Sequence, residues 1–238
     1  MKPIARWTIG NTFRHGYECL IRSIHSFLAY YDLEVNVYYN CKIEAIHSVI
    51  KKFPEANFVD QSSYLESKIK PMGVAWKLYP LRIDITRHEI SIDNDIILNE
   101  PVPEIEKFFQ GTHTLLLEDI ARAYGKFEKH VPPGLFINSG IYGMPPGFDL
   151  SRYFNFYVHK NWDINALGNH AANKTFDEQG FIALALSNKS YTIIPNSVIT
   201  NCEWQLVEGK GHHFIGLNRR NYHEPYQLYK NKNTKHFL

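Results

Sequence analysis

Apolar and polar positions along this chain switch repeatedly between two periods. Residues 3 to 11, PIARWTIGN, are apolar and β-prone and close on a Gly-Asn turn, which predicts a strand. Leu20, Ile24, Phe27, Leu28 and Tyr31 then recur at helical spacing, which predicts a helix over 16–31 with one face on a sheet. LEVNVYYN (33–40) reads as the second strand, Ile43, Ile46, Ile50 and Phe53 as a second helical stripe, and ANFVD (56–60) as the third strand. A β-α-β-α-β opening joined by right-handed crossovers builds a parallel sheet with helices on its faces. Residues 72–88 read as a helix that Pro80 breaks or kinks, and EISIDNDIIL (89–98) returns to strand.

The second half is more mixed. Segments 112–119 and 135–144 read as strands, 149–161 and 176–189 as helices, and 191–201 as β-rich with Pro195 at an edge or bulge. The loop 121–134 is polar and punctuated by Gly and Pro, the composition of a mobile lid over a site. No repeat or low-complexity linker interrupts the chain. The expectation is one domain over 1–238, divided into a first half (1–100), a second half (101–220) and a basic tail (221–238).

Asp93 and Asp95 sit inside the apolar run ISIDNDIIL. A buried carboxylate without a partner costs several kcal/mol, so about as much as a small domain's net stability. The pair therefore demands a counter-charge or a place where the strand opens into a site. Side chains at i and i+2 of an extended strand share a face, and open parallel sheets bind ligands beyond their strands' carboxyl ends. Both arguments place the two carboxylates where they can hold one cation.

Composition narrows the partners. With 44% hydrophobic and 21% charged residues the 238-residue chain is globular, and a net charge of +2 gives no basis for general nucleic-acid binding. Arg219, Arg220, Lys230, Lys232 and Lys235 against Glu224 make the last residues basic, and a solvated tail is expected there. Three cysteines far apart suggest neither a disulfide framework nor a zinc knuckle, which fits a reducing compartment. Without a run of about 18 apolar residues, a soluble, cytoplasmic protein with no transmembrane segment is expected.

Five segments around this pair, in this order, resemble the nucleotide-sugar glycosyltransferases of the GT-A fold, particularly the galactosyl- and glucosyltransferases of family eight. They are WTIGN (7–11), WKLYPLRI (76–83) before the Asp-x-Asp strand, LFINSGIYGM (135–144), FDEQGFIALAL (176–186) and HHFIGLNRR (212–220). The resemblance spans roughly 3–220, with Asn94 where the family has a small apolar residue and no Lys-Pro-Trp after the His loop. It implies a GT-A, Rossmann-like α/β fold with a mostly parallel central sheet, helices on both faces and a mixed C-terminal half. It also implies sugar transfer from a nucleotide diphosphate, UDP by resemblance, to a carbohydrate or glycoconjugate acceptor. A departing diphosphate needs a bridging cation. Asp93, Asp95 and His213 are its expected ligands, with His212 as the rival imidazole, and this donor set favours Mn²⁺ over Mg²⁺.

The remaining assignments follow segment by segment. Thr8, Gly10 and Asn11 at the end of the first strand, with Arg14, Asp60 and Asn94, are expected to receive the nucleotide. Lys77 and Arg82 are candidates for the phosphates or sugar, Arg82 preferred for its bidentate grip. Asn138, Ser139 and Gly140 are expected to line the donor-sugar pocket. Asp177, Glu178 and Gln179 are the expected catalytic residues, with a helix cap as the alternative reading of Asp177. Glu178 suits a base in an inverting enzyme, and Gln179 would lie beneath the sugar in a retaining one. The alternatives are a sugar-nucleotide nucleotidyltransferase, disfavoured because 10–18 lacks a Gly-rich basic loop, and a catalytically silent nucleotide-sugar-binding module.

Overall fold

The computed structural model describes residues 1–12, 14–62, 77–78, 82–150, 153, 177–202, 205–215 and 224–232. Strands β1 (Ile4–Ile9), β2 (Glu34–Tyr39) and β3 (Asn57–Asp60) alternate with helices α1 (Arg14–Leu28) and α2 (Ile43–Lys52). On α1 the predicted stripe is buried at Leu20, Ile24 and Phe27, whereas Leu28 is exposed. Two serines on its buried side serve the sheets: Ser23 Oγ accepts from Trp7 Nε1 at 2.9 Å and Ser26 Oγ from the Leu98 amide at 3.0 Å. Each removes a buried donor that would otherwise lack a partner.

Beyond these lie β4 (Glu89–Ile92), β5 (Ile96–Leu98), α3 (Pro103–Gln110), β6 (Thr114–Glu118) and β7 (Ile137–Met144). They are followed by α4 (Asp177–Ser187), β8 (Tyr191–Ile194), β9 (Ile199–Asn201), β10 (Gly211–His213) and α5 (Glu224–Lys232). Seven strands form the central sheet in the order β3-β2-β1-β4-β7-β6-β8, with only β7 antiparallel to its neighbours. A second sheet, β5-β10-β9, takes its first strand directly from the end of β4. Helix α4 is buried from Glu178 through Leu186, as a sequence apolar on all sides requires. Gly180 lets the loop at Tyr124 approach, because a Cβ there would collide with the Tyr124 carbonyl.

Several expectations need correction. The run 89–98 is two strands in two sheets, divided at 93–95, and 191–201 divides likewise around Pro195. Of the helix expected over 72–88, residues 77–78 form a 3₁₀ turn and 82–88 are not helical; the rest lies outside the described residues. The 121–134 loop is anchored rather than lid-like: Tyr124, Phe127 and Val131 are buried, and Arg122 donates to the Pro132, Leu135, Glu128 and Val131 carbonyls. The basic tail contains α5, which sinks Tyr226 and Tyr229 against Phe214. Aromatic area outweighed local charge there. The helix expected over 149–161 lies almost entirely outside the described residues.

One buried charge pair links β1 to β4. Arg6 Nη2 lies 2.6 Å from Glu89 Oε1, with both side chains almost completely buried. Removing one partner of such a pair typically costs about 3–5 kcal/mol, whereas replacing both by apolar groups costs far less. Urea unfolding of Glu89→Leu should therefore show a loss of about 3–5 kcal/mol. The double variant Arg6→Met/Glu89→Leu should recover most of it.

Candidate functional site

Asp93, Asn94 and Asp95 form the turn by which the chain leaves the central sheet and enters the small one. The Asp93 amide donates to the Gly140 carbonyl at 2.8 Å, holding the turn against β7, and the Ile96 amide closes it on the Asp93 carbonyl at 3.4 Å. The carboxylates thus converge through a turn, not through the pleat of one strand as the i, i+2 argument supposed. The third group arrives on β10, which pairs antiparallel with β5. A bond from the Phe214 amide to the Asp95 carbonyl, 2.9 Å, continues that pairing into the turn.

His213 Nε2 lies 3.4 Å from Asp95 Oδ1, and one ligand atom from each of Asp93, Asp95 and His213 falls within 4.8 Å of the others. His212 faces the other way. Its Nδ1 accepts from Asn99 Nδ2 at 3.0 Å, its Nε2 donates to the Val207 carbonyl at 2.8 Å, and its ring packs on Tyr229. Strand alternation separates the two imidazoles. Gly140 makes room for the inward one: a Cβ there would lie 2.6 Å from His213 Cε1 and 2.9 Å from Asn138 Oδ1.

Lys77 supplies the counter-charge. Its Nζ lies 3.0 Å from Asp93 Oδ1, 2.7 Å from Glu178 Oε1 and 3.3 Å from the Ser139 carbonyl. Burial works against the ammonium, but Asp93 and Glu178 hold its pKa well above the ordinary value. Burial pushes the Glu178 carboxyl up against the pull of Lys77. For Asp93 burial likewise dominates, opposed by Lys77 and reinforced by Asp95. Burial lowers the affinity of His213 for a proton, yet the surrounding carboxylates, Asp95 foremost with Asp93 and Asp119, together outweigh it and raise the imidazole's pKa. Like charges pressed together in this way make Asp93, Asp95 and His213 a candidate cation site.

Next to this cluster stands a set of amides organised by Asp119. Asp119 Oδ2 accepts from Asn138 Nδ2 and Gln179 Nε2, both at 3.1 Å; Oδ1 accepts from Asn201 Nδ2 at 3.1 Å and the Ile120 amide at 2.7 Å. Gln179 Oε1 accepts from the Ser139 amide at 3.3 Å, and Asn138 Oδ1 from the Gly140 amide at 2.8 Å. Asn138, Ser139, Gly140 and Gln179 are thereby brought to one place. The sequence reading missed Asp119 and Asn201. Asp119 follows the carboxyl end of β6, which runs parallel to β4, so the rule that singled out Asp93 pointed to it as well.

Other candidates are distributed along the same sheet edge. Thr8, Gly10 and Asn11 end or follow β1, and Asp60 ends β3. Asp60 Oδ1 accepts from the Ser62 amide at 2.7 Å, an ordinary turn contact. Asn94 Nδ2 donates to the Gly16 carbonyl at 3.2 Å, tying the turn to the start of α1. Arg14 opens α1 and Asp177 opens α4; their side chains lie outside the described residues, as does Gly216. Arg82, preferred over Lys77 from the sequence, is not brought to the cluster. Its guanidinium donates to the Pro145, Phe148 and Arg87 carbonyls and lies 3.9 Å from Glu89, at the amino end of β4. Four residues of strand, about 13 Å, separate Glu89 from Asp93.

The residues present fit a hard divalent cation. Two carboxylates and an imidazole are a donor set for Mn²⁺ or Mg²⁺, and one ligand atom from each lies within 4.8 Å of the others.

No protein-family model and no curated protein matches the chain. Solved structures do. The galactosyltransferase LgtC in complex with donor and acceptor sugar analogues superposes with a TM-score of 0.60 at 9% identity, over 95% of this chain and 94% of that one. The apo form of mouse xyloside xylosyltransferase 1 gives 0.55 at 12% identity, over 92% and 99% respectively. The bifunctional glycosyltransferase WbbM gives 0.57 at 10% identity, over 96% of this chain and 51% of that one. The fold is therefore the GT-A glycosyltransferase fold, as the ordered motifs implied. No helix among the described residues is long and apolar enough to cross a membrane.

Adding Mn²⁺ should raise the melting temperature, because binding to the native state alone stabilises it. Asp95→Asn and Gly140→Ala should each remove that shift, the first by deleting a ligand and the second by displacing His213. Differential scanning fluorimetry with and without chelator checks this.

Proposed function

We propose that this protein is a metal-dependent glycosyltransferase that moves a sugar from a nucleoside diphosphate, UDP in our reading, to an acceptor hydroxyl. The observation that carries the proposal is the convergence of Asp93, Asp95 and His213, from separate parts of the chain, beside the buried Lys77 at the carboxyl edge of a GT-A sheet. These three residues would hold the cation, whose chemistry when bound is to neutralise the charge that the leaving diphosphate collects.

The chain's own groups divide the remaining work. The ends of β1 and β3, with Thr8, Gly10, Asn11 and Asp60, form the shelf on which a base would rest, and Arg14 starts the helix behind it. Lys77 keeps two carboxylates charged without mutual repulsion and adds positive potential next to the diphosphate position. Asn138 presents its second N–H to the sugar, oriented in advance by Asp119, and Gln179, whose two N–H donors are taken by Asp119 and the Ala123 carbonyl, offers its Oε1 acceptor. Glu178 is committed to Lys77 and buried, so it serves as counter-charge; a base must reach the acceptor hydroxyl, and this carboxylate is not open to it.

A panel of nucleotide sugars assayed for thermal shift and for donor hydrolysis, with Mn²⁺ or with chelator, tests the reading. UDP and UDP-hexoses should bind in a metal-dependent way, and Asp95→Asn should abolish turnover. Nucleotide binding indifferent to chelator overturns the proposal.

Lys77→Met should lower kcat by about 10²–10³, the usual cost of deleting one preorganised electrostatic group. The same substitution should leave Asp93 and Glu178 without a counter-ion. Steady-state kinetics on the best donor checks the magnitude.

A further inference from the structure

Two buried polar atoms beside the cluster have no hydrogen-bond partner among the described residues: His213 Nδ1 and Asn201 Oδ1. They belong to residues opposite each other in register, on the parallel neighbours β10 and β9. Side chains opposite each other in a ladder share a face, so the amide and the imidazole stand side by side.

The orientation of each group is fixed by other contacts. The Nε2 edge of the His213 ring faces Asp95 Oδ1 at 3.4 Å, and Cε1 faces Gly140. When Nε2 is the metal ligand, the proton of a neutral imidazole sits on Nδ1, which is then a donor. The Asn201 amide cannot flip without loss, since its Nδ2 donates to Asp119 Oδ1 at 3.1 Å and a carboxylate only accepts. Its Oδ1 is therefore a buried acceptor pointing away from Asp119. The two do not bond each other in the structure, but a buried donor and a buried acceptor on paired residues, each unanswered elsewhere, stand where a small side-chain rotation or one water joins them.

We propose that Asn201 is a positioning residue for metal binding. Its Oδ1 accepts the His213 Nδ1–H, directly or through one water, and so aims Nε2 at the Asp93–Asp95 turn. Asp119 fixes the amide that does this. The inference rests on the cation reading above and deepens it: the carboxylate that orients the donor-pocket amides also sets, through Asn201, the direction of the metal's imidazole. Metal ligation by histidine commonly depends on such a partner for the second ring nitrogen, and removing it weakens binding by about 10- to 100-fold.

The test uses Mn²⁺ alone on the full chain without nucleotide. Calorimetry gives the affinity, pulsed EPR gives the hyperfine coupling from an imidazole nitrogen, and melting temperature monitors the fold. His213→Gln sets the floor for both metal readouts. Asn201→Leu should bind Mn²⁺ about tenfold more weakly with a diminished nitrogen coupling, while its melting temperature stays well above that of the assay. Asn201→Ser, a smaller change that retains an acceptor, should fall between it and wild type, and it decides the matter if the leucine variant does not fold. Wild-type affinity and coupling in a folded Asn201 variant overturn this inference alone. Absence of Mn²⁺ binding by the wild-type chain overturns the cation reading and the inference together.

Discussion

The site depends on one electrostatic constraint: the half-buried Asp93 and Asp95 are crowded beside the buried Glu178, and Lys77 is the sole ammonium in direct contact with two of them among the described residues. Lys77 bridges two carboxylates, which leaves Asp95 facing His213. That distribution is unbalanced toward negative charge on the side where Asp93, Asp95 and His213 meet. In the proposed reading a divalent cation would complete it without new protein groups, and a diphosphate would then find positive potential at the end of a sheet of fixed geometry.

The constraint is mechanical as well. Asp93 is fixed to the central sheet by its bond to Gly140, whereas His213 belongs to the small sheet. The two sheets meet at the three-residue turn that carries both carboxylates. Behind β10, Tyr229 donates to Asn99 Oδ1 at 2.9 Å while Asn99 Nδ2 holds His212, so α5 secures the strand from the face opposite the cluster. Helix α5 thus supports, from the opposite face, the strand that carries His213.

Much of this was legible in the sequence, for a physical reason that differs by element. The strand and helix periods of 3–60 recovered β1, α1, β2, α2 and β3 because each buries one face on the same sheet. The motif order found the residues that approach the cluster, His213 included, because charged and amide side chains in apolar strands are costly unless used. Pattern failed where the chain changes sheets: the polar and turn-forming residues at 93–95 and 195–197 mark the breaks in 89–98 and 191–201, but hydrophobicity carries no information about which sheet the residues on either side join. The choice of Arg82 over Lys77 failed because guanidinium chemistry suits three structural carbonyls and Glu89 as well as it suits a sugar. The tail was misjudged by counting its lysines and overlooking the spacing of Tyr226 and Tyr229.

Asp119 shows what a reading confined to local motifs omits. Its carboxylate accepts four hydrogen bonds from residues at positions 120, 138, 179 and 201, three of them distant in sequence and on different elements. No spacing rule predicts such a hub, since its partners are assembled only when β6, β7, α4 and β9 are packed. Four donors on one acceptor-only group also remove the freedom of three amides to flip, and this is how a site lined by Asn and Gln acquires a defined polarity. Preorganisation of that kind is useful where a neutral sugar must be oriented beside a strongly charged leaving group. In the proposed reading, a pocket held by lysines and arginines would compete for the diphosphate, whereas amides locked by the half-buried Asp119 carboxylate would recognise hydroxyls and leave the charge to the Asp93–Asp95 turn.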